Sequence, residues 1–155
     1  MQLNVKYGVG NLFRILLILF SFACIMFLLF YIKILEVFNY SLDFFLGMVY
    51  PIGFCFLGLV YQFIKLFDSL KNNNPFCYNT VIVLKSAMIF SYIISLLLLI
   101  SLIIIVFVYD YYSFGIKICV LVVSILFFGV GVALYMLKEL FKQAVSYKEE
   151  NDLTI

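Results

Sequence analysis

The chain has 155 residues, of which 67% are hydrophobic and 12% charged, and its mean hydropathy is +1.22. So few charges cannot cover a soluble fold of this size, and apolar runs this long and unbroken exclude a barrel of short alternating strands. The expectation is an all-α, multi-pass membrane protein, a four-transmembrane-helix bundle occupying residues 1–155 as one membrane domain.

The first span falls at about residues 12–32. Its charge-free core, Ile15 to Ile32, is 18 residues long; as a helix it covers about 27 Å, against a hydrocarbon layer of about 30 Å. Arg14 and Lys33 bracket it and can snorkel outward. Lys6 and Arg14 resemble the basic start of a cleaved leader, but the apolar run is too long and no small-x-small site follows, so a retained helix is expected. Lys33 to Asp43 reads as a short interfacial helix with Ile34, Phe38 and Leu42 on one face.

The second span, residues 44–64, is charge-free over all 21 positions, about 32 Å as a helix. Pro51 and Gly53 lie near its outer end and predict a kink at a boundary, rather than the paired broken helices of a transporter. Phe63, Leu66, Phe67 and Leu70 recur at helical spacing, so this helix is expected to run on into the loop of residues 65–85. Asn72-Asn73-Asn74-Pro75 stops it, because asparagine competes with the helix and proline displaces the residue before it. A new helix should follow, capped at Asn79.

The third span, residues 86–109, is charge-free over 24 positions, and Asp110 to Lys117 reads as a tight outer turn with tyrosines at headgroup depth. The fourth span, residues 116–137, has a charge-free core of 20 residues from Ile118. Ala87, Ser91 and Ser95 recur every four residues on span three, as Gly129 and Ala133 do on span four. Small residues at this spacing let helix backbones approach closely. Packing inside one bundle is the favoured reading, and a homo-oligomer face the competing one. Beyond span four, the tail of residues 138–155 carries a stripe of Leu137, Phe141, Ala144 and Val145 opposite Lys138, Glu139, Lys142, Gln143 and Ser146.

Lysine and arginine set the orientation. Lys6, Arg14, Lys65, Lys71, Lys85, Lys138, Lys142 and Lys148 fall on one side, and Lys33 and Lys117 on the other. The richer side should be cytoplasmic, which places both termini inside.

Several chemistries lose support. Histidine is absent, which removes the commonest general base and metal ligand. No acidic or basic residue sits near the centre of a span, as proton relays and ion paths usually require; the membrane-embedded glutamate of small multidrug exporters has no counterpart. Cys24, Cys55 and Cys119 lie in apolar runs and read as small hydrophobes, while Cys77 stands in a polar segment without a charged neighbour to activate it. Asp68 and Glu139 read as single solvated carboxylates. The basic residues are spread over three segments, which suits lipid headgroups rather than nucleic acid. No catalytic residue, metal or cofactor is expected, and the lipid bilayer is the first partner.

What remains is the cytoplasmic face. The loop offers Asn74, Pro75, Phe76 and Asn79, and the tail offers Glu149, Glu150, Asp152, Leu153 and Ile155. The two amphipathic extensions either pack on each other and on headgroups, or form a docking platform for a soluble protein. The acidic tail favours the platform, since anionic headgroups repel it and a basic partner does not. Leu153-Thr154-Ile155 could add to a sheet edge or fill a groove, or simply fray.

Two stretches carry a resemblance: Asn74-Pro75-Phe76 with Asn79 and Leu84 after it, and the ending Glu149-Glu150-Asn151-Asp152-Leu153-Thr154-Ile155. In both, and in topology over nearly the whole chain, the sequence resembles the small bacterial membrane proteins of the domain-of-unknown-function family DUF2975. Relatives often carry a hydroxyl cap and an acidic residue after Pro-Phe, where Cys77 and Tyr78 stand here. The resemblance implies a bacterial cytoplasmic membrane protein with no established activity. It also implies an association with small helix-turn-helix regulators of the Cro/CI type, encoded nearby. The expected function is therefore a non-enzymatic membrane partner that binds or sequesters such a regulator. The alternative is a small transport, permeability or immunity subunit.

Overall fold

The computed structural model describes the backbone of residues 2–37, 42–71, 77–107 and 114–152, and the side chains of residues 14–30, 33, 48–69, 77–107 and 114–150. All regular structure among the described residues is helical: α1 (Gln2–Val37), α2 (Leu42–Lys71), α3 (Tyr78–Phe107) and α4 (Phe114–Asp152). Among the described residues three stretches are long and apolar enough to cross a membrane, Met48–Ser69, Tyr78–Phe107 and Phe114–Glu150, and the described part of the apolar run in α1 is Arg14–Phe30.

The helices overrun the charge-free cores that predict them. Lys33 to Val37 contain no helix breaker and continue α1, so no separate interfacial helix begins at Lys33. Phe114 to Lys117, expected within the outer turn, already belong to α4. Pro51 lies inside α2, which runs from Leu42 to Lys71 without a break. Proline removes one backbone donor, a defect that membrane helices tolerate.

Side-chain pairings show that each helix runs antiparallel to the next. Arg14 meets Asp68 and Leu28 meets Tyr50, joining α1 to α2. Ser69 meets Thr80, and the ring of Phe90 lies over Gly58, joining α2 to α3. Ser91 meets Phe127 and Ser95 meets Ser124, joining α3 to α4. The start of α1, the end of α2, the start of α3 and the end of α4 therefore share one end of the molecule, called the terminal end below.

The packing is unequal. Leu59 of α2, Leu84, Ala87 and Ile94 of α3 and Leu134 of α4 form the buried centre, with Phe56, Phe63, Leu66, Phe127 and Phe141 packed around it. Thus α2, α3 and α4 share one core. Among the described residues, α1 packs along α2 alone. The Phe56 ring bridges the two parts, edge-on to Phe20 of α1 at 5.8 Å and to Phe127 of α4 at 6.1 Å. Elsewhere the spans expose leucine, isoleucine, valine and phenylalanine, as a lipid-facing surface does.

Candidate functional site

Between α3 and α4 the sequence places hydroxyls where the backbones meet. Ser91, Ser95 and Ser124 are buried. Ser91 Oγ donates to the Phe127 carbonyl at 2.7 Å. Ser95 Oγ donates to the Ser124 carbonyl at 3.0 Å, and Ser124 Oγ donates back to the Ser95 carbonyl at 3.0 Å. Each hydroxyl has one proton and uses it on a carbonyl, so the 3.3 Å contact between the two oxygens adds no third bond. Every polar group in this seam is satisfied, which suits a packing joint and offers no free donor to a solute.

Ala87, Ser91 and Ser95 all lie on this buried face. Gly129 and Ala133 do not: both face outward on α4, and a Cβ added at Gly129 would meet nothing within 4 Å. The close approach falls instead at Gly131, where a Cβ would stand 2.6 Å from the Tyr92 ring. Two residues on a helix turn about 200°, so Gly129 and Gly131 point to nearly opposite sides. The spacing of Ser124, Phe127, Gly131 and Leu134 is the signal that marks the inward face.

At the terminal end a second polar cluster ties three helices together. Arg14 Nη1 lies 3.2 Å from Asp68 Oδ1, with both side chains partly exposed. The next residue, Ser69, turns to α3 and shares a hydrogen bond with Thr80 Oγ1 at 2.8 Å. Adjacent helix positions are about 100° apart, so Asp68 and Ser69 reach different neighbours. Asp68 is thus ion-paired rather than isolated. Glu139 also has a partner, Lys138 at 2.8 Å, whose ammonium lies 4.6 Å from the Tyr135 ring centre.

The start of α3 departs from expectation. Cys77 rather than Asn79 occupies the capping position, directly before Tyr78. The Thr80 N–H donates to the Cys77 carbonyl at 3.0 Å. Cys77 Sγ lies 3.4 Å from Thr80 Oγ1 and 3.9 Å from Ser69 Oγ. The Thr80 hydroxyl, then the Thr80 backbone N–H, lower the thiol below its ordinary pKa. Asn79 sits within the first turn and is exposed. Cysteine is not a favoured cap, which is why its role escapes a reading by residue type.

The remaining interaction candidates divide. Asn74, Pro75 and Phe76, and Leu153 and Ile155, lie outside the described residues; for Asp152 only the helical backbone is described. Glu149 and Glu150 are exposed on the last turns of α4, as are Ser146, Tyr147 and Lys148. Continued along the seam, the Ser91–Phe127 pairing brings the start of α3 level with the turn around Phe141. The helix beyond that turn projects past the start of α3. Phe63 and Leu66 of α2 and Phe141 of α4 pack on the shared core, and Val145 is buried, so much of the two amphipathic stripes is consumed internally. Among the described residues no group of three or more His, Cys, Asp or Glu side chains could hold a metal ion.

Four antiparallel helices, three of them with a stretch long and apolar enough to cross a bilayer among the described residues, define a helical membrane protein. Its two polar clusters join helices, and at the terminal end both the start of α1 and the end of α4 run past the start of α3. The chain belongs to the family described as "Protein of unknown function (DUF2975)", which matches residues 7–155. No curated protein and no solved structure matches it.

Proposed function

We propose that this protein is a non-enzymatic membrane partner that holds a small helix-turn-helix transcription regulator at the cytoplasmic face of a bacterial membrane. Both termini then lie in the cytoplasm, as the excess of Lys and Arg on that side supports. The observation that carries the reading is the projection of α4. Its helix continues to Asp152, and Ser146 to Glu150 are all exposed beyond the level where α3 begins. Leu137 marks the end of the charge-free core, and Glu149 stands about 18 Å further along the helix axis. Headgroups fill only about 5–8 Å on each side, so this end stands in water. An acidic helix end there complements a basic DNA-binding domain.

The test is recovery of the regulator encoded beside the gene, using full-length protein and a variant lacking residues 149–155 in native membranes. The reading requires that the truncation lose most of the bound regulator while the membrane protein stays at normal abundance. Equal recovery by both forms removes the tail from the mechanism, and no recovery by either removes the partner.

A further inference from the structure

The joints between helices differ in kind. The joint between α3 and α4 is held by buried hydroxyl-to-carbonyl bonds from Ser91, Ser95 and Ser124. The joint between α2 and α3 is closed by the buried Thr80 and by the shared centre of Leu59, Leu84 and Ala87. The joint between α1 and α2 is lighter. Among the described residues within the span it includes Leu28 seated over Gly53, the Tyr50 hydroxyl donating to the Leu28 carbonyl at 3.3 Å, and the edge-on contact of Phe20 with Phe56. Of the described α1 residues from Arg14 to Phe30, Leu17, Ser21, Cys24 and Leu28 are the most covered. They form a single stripe along α2. At the terminal end Arg14 pairs with Asp68.

We propose that α1 is a movable arm on a rigid α2–α3–α4 unit, and that the Arg14–Asp68 ion pair is the latch that sets its closed position. Lipid is as apolar as the α1 stripe, so no hydrophobic force opposes its lateral separation. Packing at Gly53, the Phe20–Phe56 ring contact and one long hydrogen bond resist it in the span, and the ion pair fixes the angle at the end. Asp68 adjoins Ser69, which bonds Thr80, so motion of α1 reaches the start of α3 through two consecutive residues of α2. This device is independent of what the α4 end binds.

Nitroxide labels on a variant freed of its four cysteines, held in lipid nanodiscs, can test it by distance measurement. One pair, at the exposed Phe22 and Leu126, spans the arm and the rigid unit; a second, at Tyr61 and Leu126, lies within the rigid unit. Arg14→Gln or Asp68→Asn should shift the ratio of closed to open distances of the first pair about two- to five-fold toward open, the size measured for partly exposed ion pairs. The second pair should be unchanged, and the exchange R14D/D68R should restore the closed distribution. The proposal is overturned if the single variants keep the distribution of the unsubstituted protein. It is equally overturned if both label pairs broaden together, or if the exchange leaves the arm open.

Discussion

Ser95 and Ser124 bond each other reciprocally across α3 and α4, each hydroxyl donating to the other's backbone carbonyl at 3.0 Å. Both are buried in a stretch whose other residues are aliphatic or aromatic, where an unpaired hydroxyl would be expensive. The pair therefore sets the register of α3 against α4, because sliding by one residue would strand two donors at once.

Removing the hydroxyls tests this directly. Interhelical side-chain hydrogen bonds in membranes average about 0.6 kcal/mol. Ser95→Ala and Ser124→Ala should each destabilise by about that amount, since alanine keeps the close backbone approach. The double variant should lose less than the sum, the remaining carbonyls having returned to ordinary helical bonding. Reversible unfolding in mixed micelles or bicelles measures the difference. Ser95→Leu should do more damage than Ser95→Ala by forcing the helices apart.

Gly131 and Gly129 make a paired experiment. A methyl group at Gly131 would stand 2.6 Å from the Tyr92 ring, which is itself held against Phe128 at 5.6 Å. Gly131→Ala should therefore destabilise by about 1–3 kcal/mol, as overpacking does. Gly129→Ala adds its methyl to open space and should leave stability unchanged or slightly raised, alanine being the better helix former. Matched unfolding curves of the two variants provide the comparison. Equal sensitivity would mean that α4 is rotated about its axis, with Gly129 as well as Gly131 against a neighbour.

That pair also shows what the sequence can and cannot reveal. The spans are legible because a charge-free run long enough to cross lipid has few other uses. The phase of each helix is harder to read. On a membrane helix the buried and lipid-facing residues are both apolar, so hydropathy does not distinguish them. Ser91 and Ser95 lie on the buried face, where each hydroxyl has a carbonyl partner. Gly129 and Ala133 are small without being polar, and they point outward. The Arg14–Asp68 pair joins residues far apart in the chain, and neither carries a local mark of the other. Cys77 escapes notice as a cap because the usual preferences point to Asn79.

The Cys77 thiol gives a prediction with a sign. Hydrogen bonds from Thr80 lower its pKa in the folded protein. In a variant retaining only this cysteine, alkylation should rise to half-maximum at a pH below the ordinary thiol value of about 8.5. Thr80→Val removes the hydroxyl at nearly constant volume and should move that midpoint up. Because the folded pKa is the lower one, ionisation favours the fold. Its contribution to stability is present above the unfolded thiol value and lost as pH falls through the folded one. A midpoint that Thr80→Val leaves in place would remove Thr80 as the cause.

Orientation is the last prediction, and the proposed function depends on it. Because the helices alternate, the start of α1, the α2–α3 connection and the end of α4 share one side. That side carries eight of the ten Lys and Arg residues, so it should be cytoplasmic. A reporter active only outside the cytoplasm should be silent when fused after Ile155 or inserted at Asn73, and active when inserted between α3 and α4 at Tyr112. The three fusions must agree, since an odd number of crossings would split the first two. If Ile155 and Asn73 both report outside, the bundle is inverted and the acidic end of α4 cannot meet a cytoplasmic regulator. If they disagree, one helix lies outside the bilayer; α1, with the shortest charge-free run and, among the described residues, packing along α2 alone, is then the helix to examine.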